Sequence, residues 1–242
     1  MSSLSDRLLQ HVLSFSFNGI ELPKGIGVLD PFNGPQGKEV RRIVTEFHQR
    51  FYSDEKQRVL MLGINPGRLG AGSTGLPFTD TKRCVNDLGI AVPGLHTHEP
   101  SSDFVYRMIN AAGGPQKFYS KVYLHAICPL GFVKEQPGRK PINLNYYDDN
   151  DLQKAVEPAI VEWLQTLIGC GMRTDVVICL GTGKNAAFFQ RLNASLKLFD
   201  HIIPIEHPRF IIQYKQKQLD LYINKYLEVL DQVDQDTRRH QP

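Results

Sequence analysis

Apolar residues fall into two patterns along this 242-residue chain. Over residues 3–15, Leu8, Leu9, Val12 and Leu13 recur at helical spacing, and over 37–52 Val40, Ile43, Val44, Phe47 and Phe51 do the same. Between them, LPKGIGVLDPFNGPQG is broken by Gly and Pro every few residues and reads as an extended stretch with turns. The second pattern is four short continuous apolar runs, Arg58–Ile64, Lys121–Ile127, Asp175–Leu180 and His201–Ile205, which have strand character. A helical pattern follows each: Ser101–Ala111, Asp151–Ile168, Lys184–Leu192 and Gln213–Val229.

Strands alternating with helices predict an α/β fold: a central, mostly parallel four-stranded sheet flanked by helices on both faces. Ligands of such sheets bind outside the carboxyl ends of the strands. That rule puts Asn65, the loop after Ile127, Gly181-Thr182-Gly183 and His207 on one rim. Neither an internal repeat nor a low-complexity linker divides the chain. The expected organisation is an N-terminal helical segment (1–24), one α/β domain (25–232) and an unstructured tail (233–242).

Composition narrows the class. Hydrophobic content of 41% and charged content of 22% suit an ordinary soluble globular chain, and no apolar run reaches the ~18–20 residues of a membrane span. MSSLSDRLLQHVLSF lacks the basic lead and small-residue cleavage site of a signal peptide, so a cytoplasmic location is expected. Cys84, Cys128, Cys170 and Cys179 show no C-x-x-C spacing, and read as buried thiols of a reducing compartment rather than a disulfide or zinc framework. A formal charge of +3 permits nucleic-acid binding without requiring it.

Several motifs fail on their own chemistry. LGTGKN at 180–185 has no glycine at the right offset before Gly183-Lys184 and no Ser/Thr after the lysine, as a phosphate-cradling loop requires, and reads as a tight strand-to-helix turn. His96, His98 and Glu99 in GLHTHEP have no third His or Cys at ligand spacing, so no metal is expected. No G-x-S-x-G nucleophile turn is present. The pair that remains is Asn65 in GINPG and His207 in EHPRF. Each sits just past a buried run and before a proline that holds it extended. Either alone also fits a structural role, the Asn as a turn former. Their shared rim favours a site.

GINPGRLGAGSTGLPF resembles the first motif of the single-strand-selective monofunctional uracil-DNA glycosylases, and LHAICPL at 124–130 and His207-Pro208 resemble the next two, in the same order. The resemblance spans about residues 25–230, and HPRFIIQY and NYYDD are similar to a bacterial branch. It implies a cofactor-free, monomeric enzyme that cuts the bond between a damaged base and deoxyribose in single- or double-stranded DNA, after the base is flipped into a pocket. By the resemblance, His207 donates to uracil O2, Asn65 positions the attacking water and Phe78 stacks under the base. Ile64 and Gly67 line the base site, the glycine leaving room for close backbone approach. Pro208, Arg209 and Phe210 would form the wedge that fills the vacated stack, with core packing as the other reading of Phe210. Lys184, Lys215 and Lys217 are candidates for phosphate contact.

One position departs from the family. Where its members carry an amide that reads the edge of uracil, this chain has Ala126. Asn143 and Asn145, in the polar loop PINLNYYDDN, are the nearest replacements, and a smaller side chain at 126 also suits xanthine or hypoxanthine. Two other classes stay open: a nucleotide hydrolase, for which the rim supplies few carboxylates (Asp80, Glu206), and a catalytically silent nucleic-acid-binding module.

Overall fold

A computed structural model describes residues 2–239, with side chains through residue 235. The chain opens with α1 (Leu4–Ser14), where the Ser3 hydroxyl accepts from the Asp6 N–H and the Asp6 carboxylate accepts from the Ser3 N–H. Leu4, Leu8 and Val12 of this helix are buried in the same core as the rest of the protein, and residues 15–24 beyond it carry no helix. After β1 (Ile26–Leu29) comes α2 (Gly37–Phe51), which buries Val40, Ile43, Val44, Phe47 and Phe51 as their spacing predicts.

The central sheet is built from β2 (Arg58–Gly63), β3 (Val122–Ala126), β6 (Met172–Leu180) and β7 (His201–Ile205), in the order β3-β2-β6-β7 and parallel throughout. These are the four predicted strands. Every residue of β2 and β3 is buried, which is why both read as unbroken apolar runs. Register aligns Gly63 with Ala126 and Leu180 with Ile205, so the strands end level and open onto one rim. Between β2 and β3 run α3 (Ala71–Thr74), α4 (Thr81–Asn86), α5 (Pro100–Ala111) and α6 (Pro115–Tyr119).

A second sheet was not foreseen. β4 (Gly131–Gln136) and β5 (Arg139–Leu144) form a hairpin that pairs with β1 in an antiparallel sheet ordered β1-β4-β5. Asn143, expected in a loop, therefore lies on a strand, and Asn145 follows that strand's end. α7 (Asn150–Gly169) precedes β6, and α8 (Lys184–Leu196) lies between β6 and β7.

The last predicted helix, 213–229, is in fact two. α9 (Pro208–Tyr214) starts directly after His207, with proline in the first turn, where its missing N–H costs nothing. A 3₁₀ turn, Gln216–Gln218, then leads to α10 (Leu219–Arg239). The expected tail from 233 meets a helix that continues through Arg239 and buries Val233; residues 240–242 lie outside the described residues. Among the described residues no helix is long and apolar enough to cross a membrane.

Candidate active site

Asn65 stands two residues past the end of β2, and its amide is held at both ends. Nδ2 donates to the carbonyl of Leu144 at 3.1 Å, and Oδ1 accepts from the N–H of Tyr146 at 3.0 Å. A carbonyl on one side and an N–H on the other fix which end is oxygen. The partner segment is itself anchored. Tyr146 is fully buried and donates its phenol at 2.8 Å to Oδ1 of Asn185, whose Nδ2 in turn bonds the carbonyl of Leu180 at the end of β6. Asn185, in the LGTGKN turn, thus braces Asn65 through Tyr146 across the sheet ends.

His207 follows β7 and caps α9, with its Nδ1 accepting the N–H of Arg209 at 3.1 Å. An Nδ1 that accepts leaves the proton of the neutral ring on Nε2. Burial, helped by the Arg209 charge, pushes the His207 pKa down to about 4. The imidazole is therefore neutral at neutral pH, and its free N–H is at Nε2.

Phe78 packs against both halves of this arrangement. Its ring lies 5.5 Å, centroid to centroid, from that of His207. A Cβ on Gly63 would meet Phe78 Cζ at 2.9 Å, so the last residue of β2 must lack a side chain for the ring to lie there. Phe78 itself adopts φ +52°, a conformation that an aromatic residue rarely holds without compensation. At Gly67 a Cβ would find only ordinary contact, 3.7 Å from Nδ2 of Asn143.

These groups line one cavity of about 320 Å³. The structure brings Ile64, Asn65, Gly67, Phe78, Ala126, Asn143, Asn145, His207 and Arg209 together there. Asn143 Oδ1 accepts from the Arg68 N–H at 3.3 Å. Pro208, Phe210 and Lys184 do not line the cavity: Pro208 is buried in the first turn of α9, and Phe210 and Lys184 face solvent. Phe210 is 41% exposed, and its ring neighbours that of Tyr214 one turn along α9, so core packing belongs to Ile211 instead. The Gly181–Gly183 turn stays outside the cavity.

Sequence reasoning missed three contributors. Tyr146 and Asn185 act only through Asn65, and no motif marks them. Glu99 was weighed only as a metal ligand beside His96 and His98, yet it lines the cavity with Ser101 at the start of α5. Burial first, then the neighbouring Asp80 charge, push the Glu99 carboxyl up to about 7, against the opposing pull of Arg209. His125, also on the wall, is driven down to about 3, chiefly by burial. Among the described residues no group of three or more His, Cys, Asp or Glu is placed to hold a metal ion.

Comparison with known proteins places the fold and the family. The crystal structure of wild-type SMUG2 from Pedobacter heparinus superposes with a TM-score of 0.93 at 42% sequence identity, over 97% of this chain and 100% of that one. The single-strand selective monofunctional uracil DNA glycosylase of Mus musculus is 26% identical over 150 residues, covering 54% of this chain and 52% of its own. Its Rattus norvegicus counterpart matches to the same extent. The chain thus spans about half the length of these two curated relatives. Residues 49–231 match the family model described as Uracil DNA glycosylase superfamily, and the chain belongs to that superfamily.

Proposed function

We propose that the protein is a monofunctional DNA glycosylase that hydrolyses the N-glycosidic bond of uracil, or a related deaminated base, in DNA and so begins base-excision repair. The observation that carries this reading is His207, neutral and with its Nε2–H free, in a cavity shared with Asn65 and Phe78. The bond to the base breaks as positive charge spreads over the sugar and negative charge gathers on the leaving base. A neutral imidazole N–H stabilises that developing anion by donating a hydrogen bond to it. The extruded base stacks on Phe78. Asn65 Oδ1 accepts one hydrogen bond from Tyr146 and keeps a second lone pair for the attacking water. Among the described residues no lysine lines the cavity, which fits hydrolysis rather than Schiff-base chemistry.

A second reading concerns the base. Ala126 lines the cavity without a hydrogen-bonding side chain, which favours hypoxanthine or xanthine as a substrate beside uracil. Arg209 lies at the cavity and Phe210 is exposed next to it, so these two are the wedge groups that would contact the opened strand.

The test is release of base from single- and double-stranded oligonucleotides carrying uracil, hypoxanthine or xanthine, read by alkaline cleavage of the abasic product. Release of uracil supports the first reading, and release confined to a purine lesion moves the specificity to the second. DNA binding without release of any base leaves the silent module.

A further inference from the structure

Among the described residues Glu99 supplies the only carboxylate on the cavity wall, and no hydrogen bond or ion pair there employs it. It is the N-cap residue of α5, yet its side chain caps no N–H. The carboxyl folds instead over Gly70, in the loop that follows Asn65; a Cβ on Gly70 would fall inside it. Oε2 is buried there without a hydrogen-bond partner. A shielded carboxyl oxygen with no donor is costly, and such groups persist where function needs them. The surroundings are also specific. Asp80 lies below, accepting from the Glu99 N–H, the Ser102 hydroxyl and the Arg83 N–H, with His98 Nδ1 3.5 Å from its Oδ2. Arg209 of α9 lines the same cavity and its charge acts on Glu99, and among the described residues the remaining titratable groups on the wall are His125 and His207.

Building on the glycosylase reading, we propose that Glu99 is the proton acceptor of this site, taking a proton from the attacking water that Asn65 orients. Asn65 cannot fill that role, since an amide does not take up a proton at ordinary pH. In the reacting complex the water oxygen bonds to C1′ as the C1′–N bond breaks. The electron pair of that bond leaves with the base, held as an anion by His207 Nε2–H. One water proton passes to ionised Glu99, and afterwards returns to the departing base or to solvent. A base works best when its pKa lies near the working pH, and Glu99, pushed up to about 7, meets that condition. His207, down at about 4, stays neutral across the same range and adds no titration there.

Single-turnover base release is measured from about pH 5 to about pH 9, the range over which such a base titrates. The substrate is whichever oligonucleotide the wild type cleaves. Affinity is read separately on an oligonucleotide with a non-hydrolysable 2′-fluoro nucleotide. The wild-type rate rises with pH through about 7 and then levels. Glu99→Gln, which keeps shape and loses the titration, flattens that profile and lowers the plateau by about 10²-fold, with affinity held within about twofold. Arg209→Gln removes the charge that favours ionised Glu99, and shifts the rising limb to higher pH. Glu99→Gln with the wild-type rate and profile overturns the assignment, as does a loss confined to affinity or a limb that Arg209→Gln leaves in place. A wild type that releases no base overturns the glycosylase reading and this assignment together, whereas a wild type that works while Glu99→Gln keeps pace overturns the assignment alone.

Discussion

The two sheets present their side chains to the cavity in different ways. At the ends of the parallel sheet, Asn65 and His207 each have a fixed orientation: the Asn65 amide is clamped between Leu144 and Tyr146, and the Arg209 N–H selects the His207 tautomer. On the antiparallel sheet, Asn143 uses only Oδ1, on the Arg68 N–H, and its Nδ2 takes no protein partner. Groups that must meet developing charge gain from being held before the reaction begins. A group that reads one base among several gains from spare hydrogen-bonding capacity. On the proposed function, the buried sheet would carry the chemistry, and Asn143 on the half-exposed one would join Ala126 in reading the base.

The largest effect should come from the buried side. Removing the Nε2–H with His207→Ala deletes a single donor worth roughly 3–4 kcal/mol, so single-turnover release should fall about 10²–10³-fold. Asn143→Ala should come nowhere near that. Equal losses at the two positions would erase the distinction between the sheets.

Acid should also attack the two regions unequally. His48 is buried, with Nδ1 at the Val44 carbonyl and Nε2 at the Tyr123 hydroxyl of β3. Burial pushes His48 down to about 4, and His125, on the same strand as Tyr123, to about 3. The unfolded chain takes up protons at these sites near the ordinary imidazole value, while the folded chain resists. Their stabilising contribution is therefore complete above about pH 6.5 and is lost as pH falls from there through about 4. For His48 alone that is on the order of 3 kcal/mol. His48→Gln should flatten the acid limb of a denaturant-midpoint-versus-pH curve, and an unchanged limb would show that the His48 imidazole, packed from α2 against β3, does not govern acid unfolding.

What could be read from the chain follows the same division. β2 and β3 are buried on every residue, so they announce themselves as apolar runs, and the rim rule then placed Asn65 and His207 together. β5 is mostly exposed, and the polar GRKPIN of its turn and strand has the composition of a loop, so its pairing with β4 left no mark in the sequence. Tyr146 and Asn185 escaped because their role depends on a meeting 39 residues apart in the chain. Glu99 escaped for another reason: beside His96 and His98 it was weighed only as a metal ligand and set aside, while the fold turns its carboxyl towards Gly70.

Asn65 is the tie between the two sheets, because the groups it clamps belong to the end of β5 and the turn after it. Asn65→Asp tests the tie. Its carboxylate can still accept from the Tyr146 N–H, but it sets oxygen against the Leu144 carbonyl where Nδ2 now donates. Losing this half-buried donor bond costs about 1–3 kcal/mol, which lowers Tm by roughly 2–12 °C in a chain of this size. A thermal melt with no shift would show that the β5 end stands without Asn65.

The smallest effect should be the most selective. Asn143→Ala removes the Oδ1 acceptor for Arg68 and the unpaired Nδ2 without touching the His207 or Asn65 contacts. A hydrogen bond between neutral partners contributes about 0.5–1.5 kcal/mol net. If Nδ2 meets the base, the loss belongs to whichever base offers it an acceptor, and the ratio of kcat/KM between uracil and hypoxanthine should change by about 3–10-fold. If Asn143 merely shapes the loop at Gly67, both substrates should lose rate in the same proportion and the ratio should stand still. The ratio therefore separates a residue that reads the base from one that only supports the wall, which the absolute rate cannot do.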